Sequence, residues 1–174
     1  QSLGAKTTLV SGPTSLAEPN VEQVIKVNSA DEMLEACESS LPADIAVCAA
    51  AVADYKIANK EITKIKKDGS RQNIILEENP DILERLSKRN HLRPKLVVGF
   101  AAETSNLERN SDEKLSKKGC DWVLGNNVSE NSIFNQDTNK IYFTSKLYSE
   151  NWELMTKKEV AKKLCQKISL HLNN

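Results

Sequence analysis

Three runs of this sequence are almost free of charge inside: "ADIAVCAAAVA" at Ala43–Ala53, "KLVVGFAAE" at Lys95–Glu103 and "DWVLGNN" at Asp121–Asn127. A strand with one wet face alternates apolar and polar side chains, whereas a strand covered on both faces reads as a continuous apolar run. These runs are therefore expected to be strands of a parallel sheet, and between and around them lie segments with helical signals. Ser29 with Glu32 three residues on has the form of a capping box. Asn79-Pro80-Asp81 is read as a helix start with Asn79 at the cap, and a polar helix over about Asn106–Lys118 is expected to stop at Gly119. Lys6–Ser11 and Glu22–Asn28 read as further strands, "KIYFTS" and "WELM" as a hairpin, and Lys157–Leu172 as a final amphipathic helix. The fold class that follows is α/β: a Rossmann-like, doubly wound, mostly parallel sheet with a short C-terminal antiparallel hairpin.

The chain has 174 residues, enough for one domain with a substantial core and too few for two of ordinary size. Lys plus Arg and Asp plus Glu number 24 each, so no overall field recruits nucleic acid or an anionic membrane. No apolar run approaches the length of a membrane span, and the N-terminal residues lack a signal-peptide pattern. Cys37, Cys48, Cys120 and Cys165 show neither CxxC spacing nor pairing with His91 or His171, which fits free thiols in a reducing, cytoplasmic setting and argues against a zinc site. "QSLG" reads as the end of a helix, so the chain is expected to begin inside an element.

In doubly wound sheets ligands lie beyond the carboxyl ends of the strands. Three segments qualify: Ala50–Lys67, Phe100–Thr104 and Gly125–Ser129. Neither GxGxxG nor GxxxxGK[ST] occurs, so any phosphate site must be built otherwise. Lys114 and Lys118, four apart, share one helix face, and Lys64, Lys66 and Lys67 cluster after a strand end; such lysines clamp a polyphosphate or form a solvated surface. Asp54 suits a loop or cap, a ribose hydroxyl, or a magnesium ion. The backbone at Asn79–Leu83 suits an anion or the polar edge of a base, or is simply a good helix start. Cys48 reads as core packing, and no nucleophile with an adjacent base is found.

In order and spacing, "AAAVADY", "KIKK", "NPDIL", "VVGFAAET", a lysine-bearing helix ending "KKG", and "NNVS" followed by Phe and Asp resemble phosphopantothenate–cysteine ligase along nearly the whole chain. The resemblance implies a single ligase domain over residues 1–174 that lacks its N-terminal strand and part of the first helix. It implies condensation of 4′-phosphopantothenate with L-cysteine in coenzyme A biosynthesis through an acyl-cytidylate, with CTP as co-substrate and Mg²⁺. It also implies a homodimer and a fused or associated flavin-dependent decarboxylase. Carried over, the nucleotide-binding residues would be Cys48, Ala49, Ala50, Asp54, Lys64, Pro80, Asp81, Ile82, Leu83, Phe100, Lys114 and Lys118, with Lys64 catalytic. The family's usual Asn-Asp-Val-Ser is Asn126-Asn127-Val128-Ser129 here, which removes a carboxylate. Its opening strand and Ser-Ser-Gly segment, where phosphopantothenate contacts reside, have no counterpart, and Gly12-Pro13-Thr14 is a later turn. Rival readings are an ATP-using relative and a non-catalytic Rossmann-like binding module. For the dimer, Ile141, Phe143, Trp152 and Leu154 on the C-terminal hairpin are the apolar surface expected to need cover.

Overall fold

The computed structural model describes residues 1–59, 73–128 and 138–173. In chain order the elements are β1 (Thr8–Ser11), β2 (Gln23–Lys26), α1 (Ala30–Ser39), β3 (Ile45–Cys48), β4 (Tyr55–Ile57), β5 (Leu76–Glu78), α2 (Ile82–Ser87), β6 (Leu96–Glu103), α3 (Leu107–Lys118), β7 (Trp122–Asn127), β8 (Thr138–Ser145), β9 (Ser149–Thr156) and α4 (Lys157–Leu172). They form two compact units, Gln1–Leu41 with Ala50–Arg85 and Pro42–Ala49 with Leu86–Asn174, and the boundary falls within α2.

In the first unit β1 and β2 pair in parallel, with Val10 opposite Ile25. Ser29 caps α1 as its sequence predicts: its Oγ accepts the Glu32 N–H at 3.2 Å, while the Glu32 carboxylate accepts the Asn28 N–H at 2.7 Å. Ala30 and Met33 form the buried side of α1. The antiparallel ribbon β4–β5 sets Tyr55 opposite Glu78, and Lys56 ties it to α1 through Asp31 at 2.5 Å.

The second unit is built on a five-stranded sheet of order β3-β6-β7-β8-β9. β3, β6 and β7 are parallel, and β8 and β9 add an antiparallel hairpin. One face carries Leu96, Val98, Trp122, Leu124, Ile141, Phe143 and Trp152 against Val160, Leu164 and Ile168, which recur every four residues along α4. Phe143 stacks on Trp152 with centroids 5.9 Å apart and meets the edge of Trp122 at 5.3 Å. Each of these side chains contributes about 1.5–3 kcal/mol by burial, and Trp152→Ala would cost about 3–5 kcal/mol. The other face is covered by α3, which buries Ser111 and Leu115. Thr156 both ends β9 and caps α4 in a capping box with Glu159.

Three expectations change in the structure. Ile141, Phe143 and Trp152 are not an exposed hairpin surface: α4 covers them, and only Leu154 points outward, 68% exposed. β3 is not covered on both faces: it is an edge of the sheet, and its Val47 is 47% exposed. Helix α2 is shorter at both ends than the sequence suggests. Asp81 caps it, its Oδ1 accepting the Glu84 N–H at 2.8 Å, and the Ser87 carbonyl at its other end accepts from Arg93 Nε at 2.7 Å.

Candidate functional site

The residues expected to hold a nucleotide divide between the two units, and each set has its own construction. In the second unit Cys48 closes β3 in register with Gly99 on β6, so Ala49 and Phe100 follow at the same level, where β3 has ended and β6 continues to Glu103. The Lys114 ammonium donates to the Phe100 carbonyl at 2.7 Å. A lysine has three donor hydrogens, so one bond to the Phe100 carbonyl leaves two for an anion. Lys118 follows one turn later on the same helix, half-buried like Lys114. Gly119 ends α3 at φ 70°, a left-handed turn that glycine adopts without steric cost.

The N-terminal end of α3 is also fixed to the sheet. Asn110 Nδ2 donates to Glu103 Oε2 at 2.7 Å, and the Tyr142 hydroxyl lies 3.3 Å from both carboxylate oxygens of Asp112. At the amino ends of the strands Arg93 Nη2 donates to Asp121 Oδ1 and Oδ2 at 3.0 and 2.9 Å, while Asp121 Oδ2 also accepts the Val97 N–H at 2.7 Å. Beside this pair Cys120 is fully buried, and its loss of solvent pushes the thiol up to about 11. It is therefore a neutral packing group. A cavity of ≈ 530 Å³ opens at the carboxyl end of β7, lined by Asn127, Lys140, Ile141, Tyr142 and the first turn of α3; it includes none of the residues expected to bind the nucleotide.

In the first unit Asp54 is tied by its backbone to the segment that opens α2. Asn79 donates its N–H to the Asp54 carbonyl at 2.8 Å and its side-chain amide to the Ala53 carbonyl at 2.9 Å. The Asp54 carboxylate and Ala50 are exposed, Pro80 and Asp81 half-buried, and Ile82 and Leu83 buried. The role of Asn79 as a bracket between two loops is missed by sequence reasoning, which spends it as a helix cap. Its signal is the Asn-Pro dipeptide, which favours a turn over a helix start. Among the described residues no group of three or more His, Cys, Asp or Glu side chains is arranged to hold a metal ion. A magnesium ion carried by substrate phosphates needs only one or two protein carboxylates, so the residues here fit that mode. Lys64, Lys66, Lys67 and Ser129 lie outside the described residues. No helix among the described residues is long and apolar enough to cross a membrane.

Known proteins resemble this arrangement in sequence and in fold. The coenzyme A biosynthesis bifunctional protein CoaBC of Haemophilus influenzae is 38% identical over 166 residues, 95% of this chain and 41% of that protein. Its namesake from Borreliella burgdorferi is 38% identical over 165 residues, 93% of this chain and 41% of that protein. The chain thus spans about two-fifths of the length of these curated relatives. A crystal structure of the C-terminal domain of a coenzyme A biosynthesis bifunctional protein CoaBC superposes with a TM-score of 0.77 at 31% identity, covering 99% of this chain and 77% of that one. Residues 1–171 match the model of the DNA/pantothenate metabolism flavoprotein C-terminal domain, and the chain belongs to that family.

Proposed function

We propose that this chain is a phosphopantothenate–cysteine ligase domain that uses CTP. The observation that carries the reading is the Lys114–Phe100 bond, which holds a half-buried ammonium against β6 at the level where the neighbouring parallel strand β3 has just ended, and the space beyond strand ends is where sheets of this class take their ligands. In the proposed reaction a carboxylate oxygen of 4′-phosphopantothenate attacks the α-phosphorus of CTP and pyrophosphate leaves, giving an acyl-cytidylate. The cysteine amine then attacks the acyl carbon, loses a proton, and CMP departs. Both partners of the first step are anions, so the requirement is cations that neutralise charge and hold the groups in line. Lys114, Lys118 and Lys64 are assigned that role, with Cys48 and Ala49 at the end of β3 and Phe100 beside them on β6. Ala50, Asp54, Pro80, Asp81, Ile82 and Leu83 are assigned to the ribose and base. Mg²⁺ would neutralise phosphate oxygens; of the two carboxylates among these residues Asp81 caps α2, and the exposed Asp54 is the one assigned to the ion.

The test is to supply 4′-phosphopantothenate, L-cysteine, Mg²⁺ and either CTP or ATP to the chain, alone and within its full translated protein. Pyrophosphate release and the mass of the condensed product are then followed. Product with CTP and little with ATP is expected. Equal turnover with ATP would reassign the base preference, and no turnover in any form of the protein would leave a binding module.

A homodimer belongs to the same reading, with its surface moved away from the β8–β9 hairpin. Tyr55, Ile57, Ile74, Ile75 and Leu76, on and beside the β4–β5 ribbon, are between 46% and 69% exposed. Apolar side chains grouped in this way mark association surfaces. Light scattering of the chain and of Ile57→Asp should give a dimer mass for the first and a monomer for the second.

A further inference from the structure

Helix α3 approaches β7 unusually closely at one point. Gly125 is buried, and a methyl group there would overlap Ser111 Oγ and stand 2.8 Å from Leu107 Cδ1. Real Cβ atoms do not come this close, so a side chain at Gly125 would force Ser111 and Leu107, or the helix that carries them, to move. The contact is made by a hydroxyl that gains nothing else, since Ser111 is 0% exposed and its Oγ has no hydrogen-bond partner among the described residues. A buried hydroxyl without a partner is costly, and a helix facing a sheet ordinarily carries Ala or Leu there.

The level of this contact in the sheet links it to Lys114. Gly125 pairs with Ala101, and the preceding rung pairs Leu124 with Phe100, whose carbonyl receives the Lys114 ammonium at 2.7 Å. Ser111 and Lys114 are three residues apart on α3, one turn of the helix, so the two contacts sit on adjacent rungs and adjacent turns. Leu115, the other buried α3 side chain, continues the Ser111 stripe, so the helix leans on β7 while Lys114 reaches across to β6.

We infer that Ser111 and Gly125 are positioning residues: their contact sets the depth of α3 and thereby brings the Lys114 ammonium to the Phe100 carbonyl. A Cβ at Gly125 must displace Ser111 Oγ and Leu107 Cδ1; on this inference the helix that carries both gives way with them, and the 2.7 Å bond lengthens towards the limit of about 3.5 Å at which it ceases to hold. Displacements of that size at a binding group cost up to about 100-fold in function. The inference rests on the nucleotide-site reading of Lys114 for its functional consequence, but not for its geometry.

The experiment combines a crystal structure of Gly125→Ala with CTP titration by calorimetry, well below the melting temperature, in the native and Lys114→Met backgrounds. Expected for Gly125→Ala are a Lys114–Phe100 separation beyond about 3.5 Å and a loss of CTP affinity of about 10- to 100-fold. Ser111→Ala/Gly125→Ala exchanges the hydroxyl for the new methyl and should recover both bond and affinity. In the Lys114→Met background Gly125→Ala should add no further loss, as two residues acting through one group do. If Gly125→Ala does not fold, Ser111→Thr, which adds a methyl from the helix side, takes its place. Undiminished affinity in Gly125→Ala beside a weakened Lys114→Met, or equal losses in both backgrounds, would overturn the positioning role. Should Lys114→Met bind CTP normally, the nucleotide reading fails instead. The crystal structure then decides alone, and a Lys114–Phe100 bond unchanged in Gly125→Ala would sink the proposal.

Discussion

Arg93 holds Asp121 through paired bonds of 3.0 and 2.9 Å, and the same carboxylate accepts the N–H of Val97 at 2.7 Å. The pair thereby joins the entry of β6 to the entry of β7. Both side chains are only about a quarter exposed, 26% and 25%, so removing one strands a partly desolvated charge on the other. Asp121→Ala should lower stability by about 2–3 kcal/mol, below the full cost of breaking a dry pair because water reaches both groups. Urea unfolding checks this, and a change within about 0.5 kcal/mol would show the pair to be incidental.

The three lysines assigned to the nucleotide should separate by kinetic signature. Lys64→Ala should lower turnover by about 10²- to 10³-fold, as removal of one preorganised charge-stabilising donor does. Lys114→Ala and Lys118→Ala should instead raise the KM for CTP with little loss of fold stability, because half-exposed helix lysines contribute little to it. Steady-state kinetics with thermal unfolding distinguishes the two outcomes.

Thiol reactivity should rank by burial. Cys165 is exposed on α4 and should react first with a disulfide reagent at pH 8, while Cys120, buried and held at about 11, should react only on unfolding. Because the folded thiol ionises later than the unfolded one, near 9.0, its contribution to stability is complete below pH 9 and is lost as the pH rises towards 11. Cys120→Ala should flatten that part of the stability profile, and an unchanged alkaline decline would disprove the assignment.

Ser111→Ala by itself should stabilise the chain by about 1 kcal/mol, since it removes a buried hydroxyl without a partner and installs a better helix former. Thermal unfolding measures the shift. A destabilised variant would mean that the hydroxyl has a partner in solution.

The parallel core and its helices were legible because their signals are periodic and strong. β6 is apolar as far as Ala102 and β7 as far as Gly125, α4 repeats Val160, Leu164 and Ile168, and Gly119 and Thr156 mark ends by chemistry that acts locally. Lys114 could be placed beyond β6 from spacing and resemblance, but its bond to the Phe100 carbonyl depends on where α3 lies across the sheet, which no local pattern carries. For the same reason Asn79 reads as a cap: the Asn-Pro dipeptide marks a turn locally, but the bonds to Ala53 and Asp54, twenty-five and more positions away, depend on the fold. The exposure expected for Ile141, Phe143 and Trp152 failed because strand alternation shows that one face is apolar but not which helix lies on it.

Strand β9 gives way to α4 at a single residue, Thr156, without an intervening loop. The stretch from Thr138 to Leu172 consequently supplies six of the ten members of the main core cluster from contiguous sequence. Partners so near along the chain close small loops, whereas the parallel pairing of β3 with β6 must wait for about fifty residues to be gathered. The C-terminal hairpin and helix should therefore act as the seed on which the parallel strands assemble. In pulsed hydrogen exchange during refolding, amides of β8, β9 and α4 are expected to gain protection before those of β3.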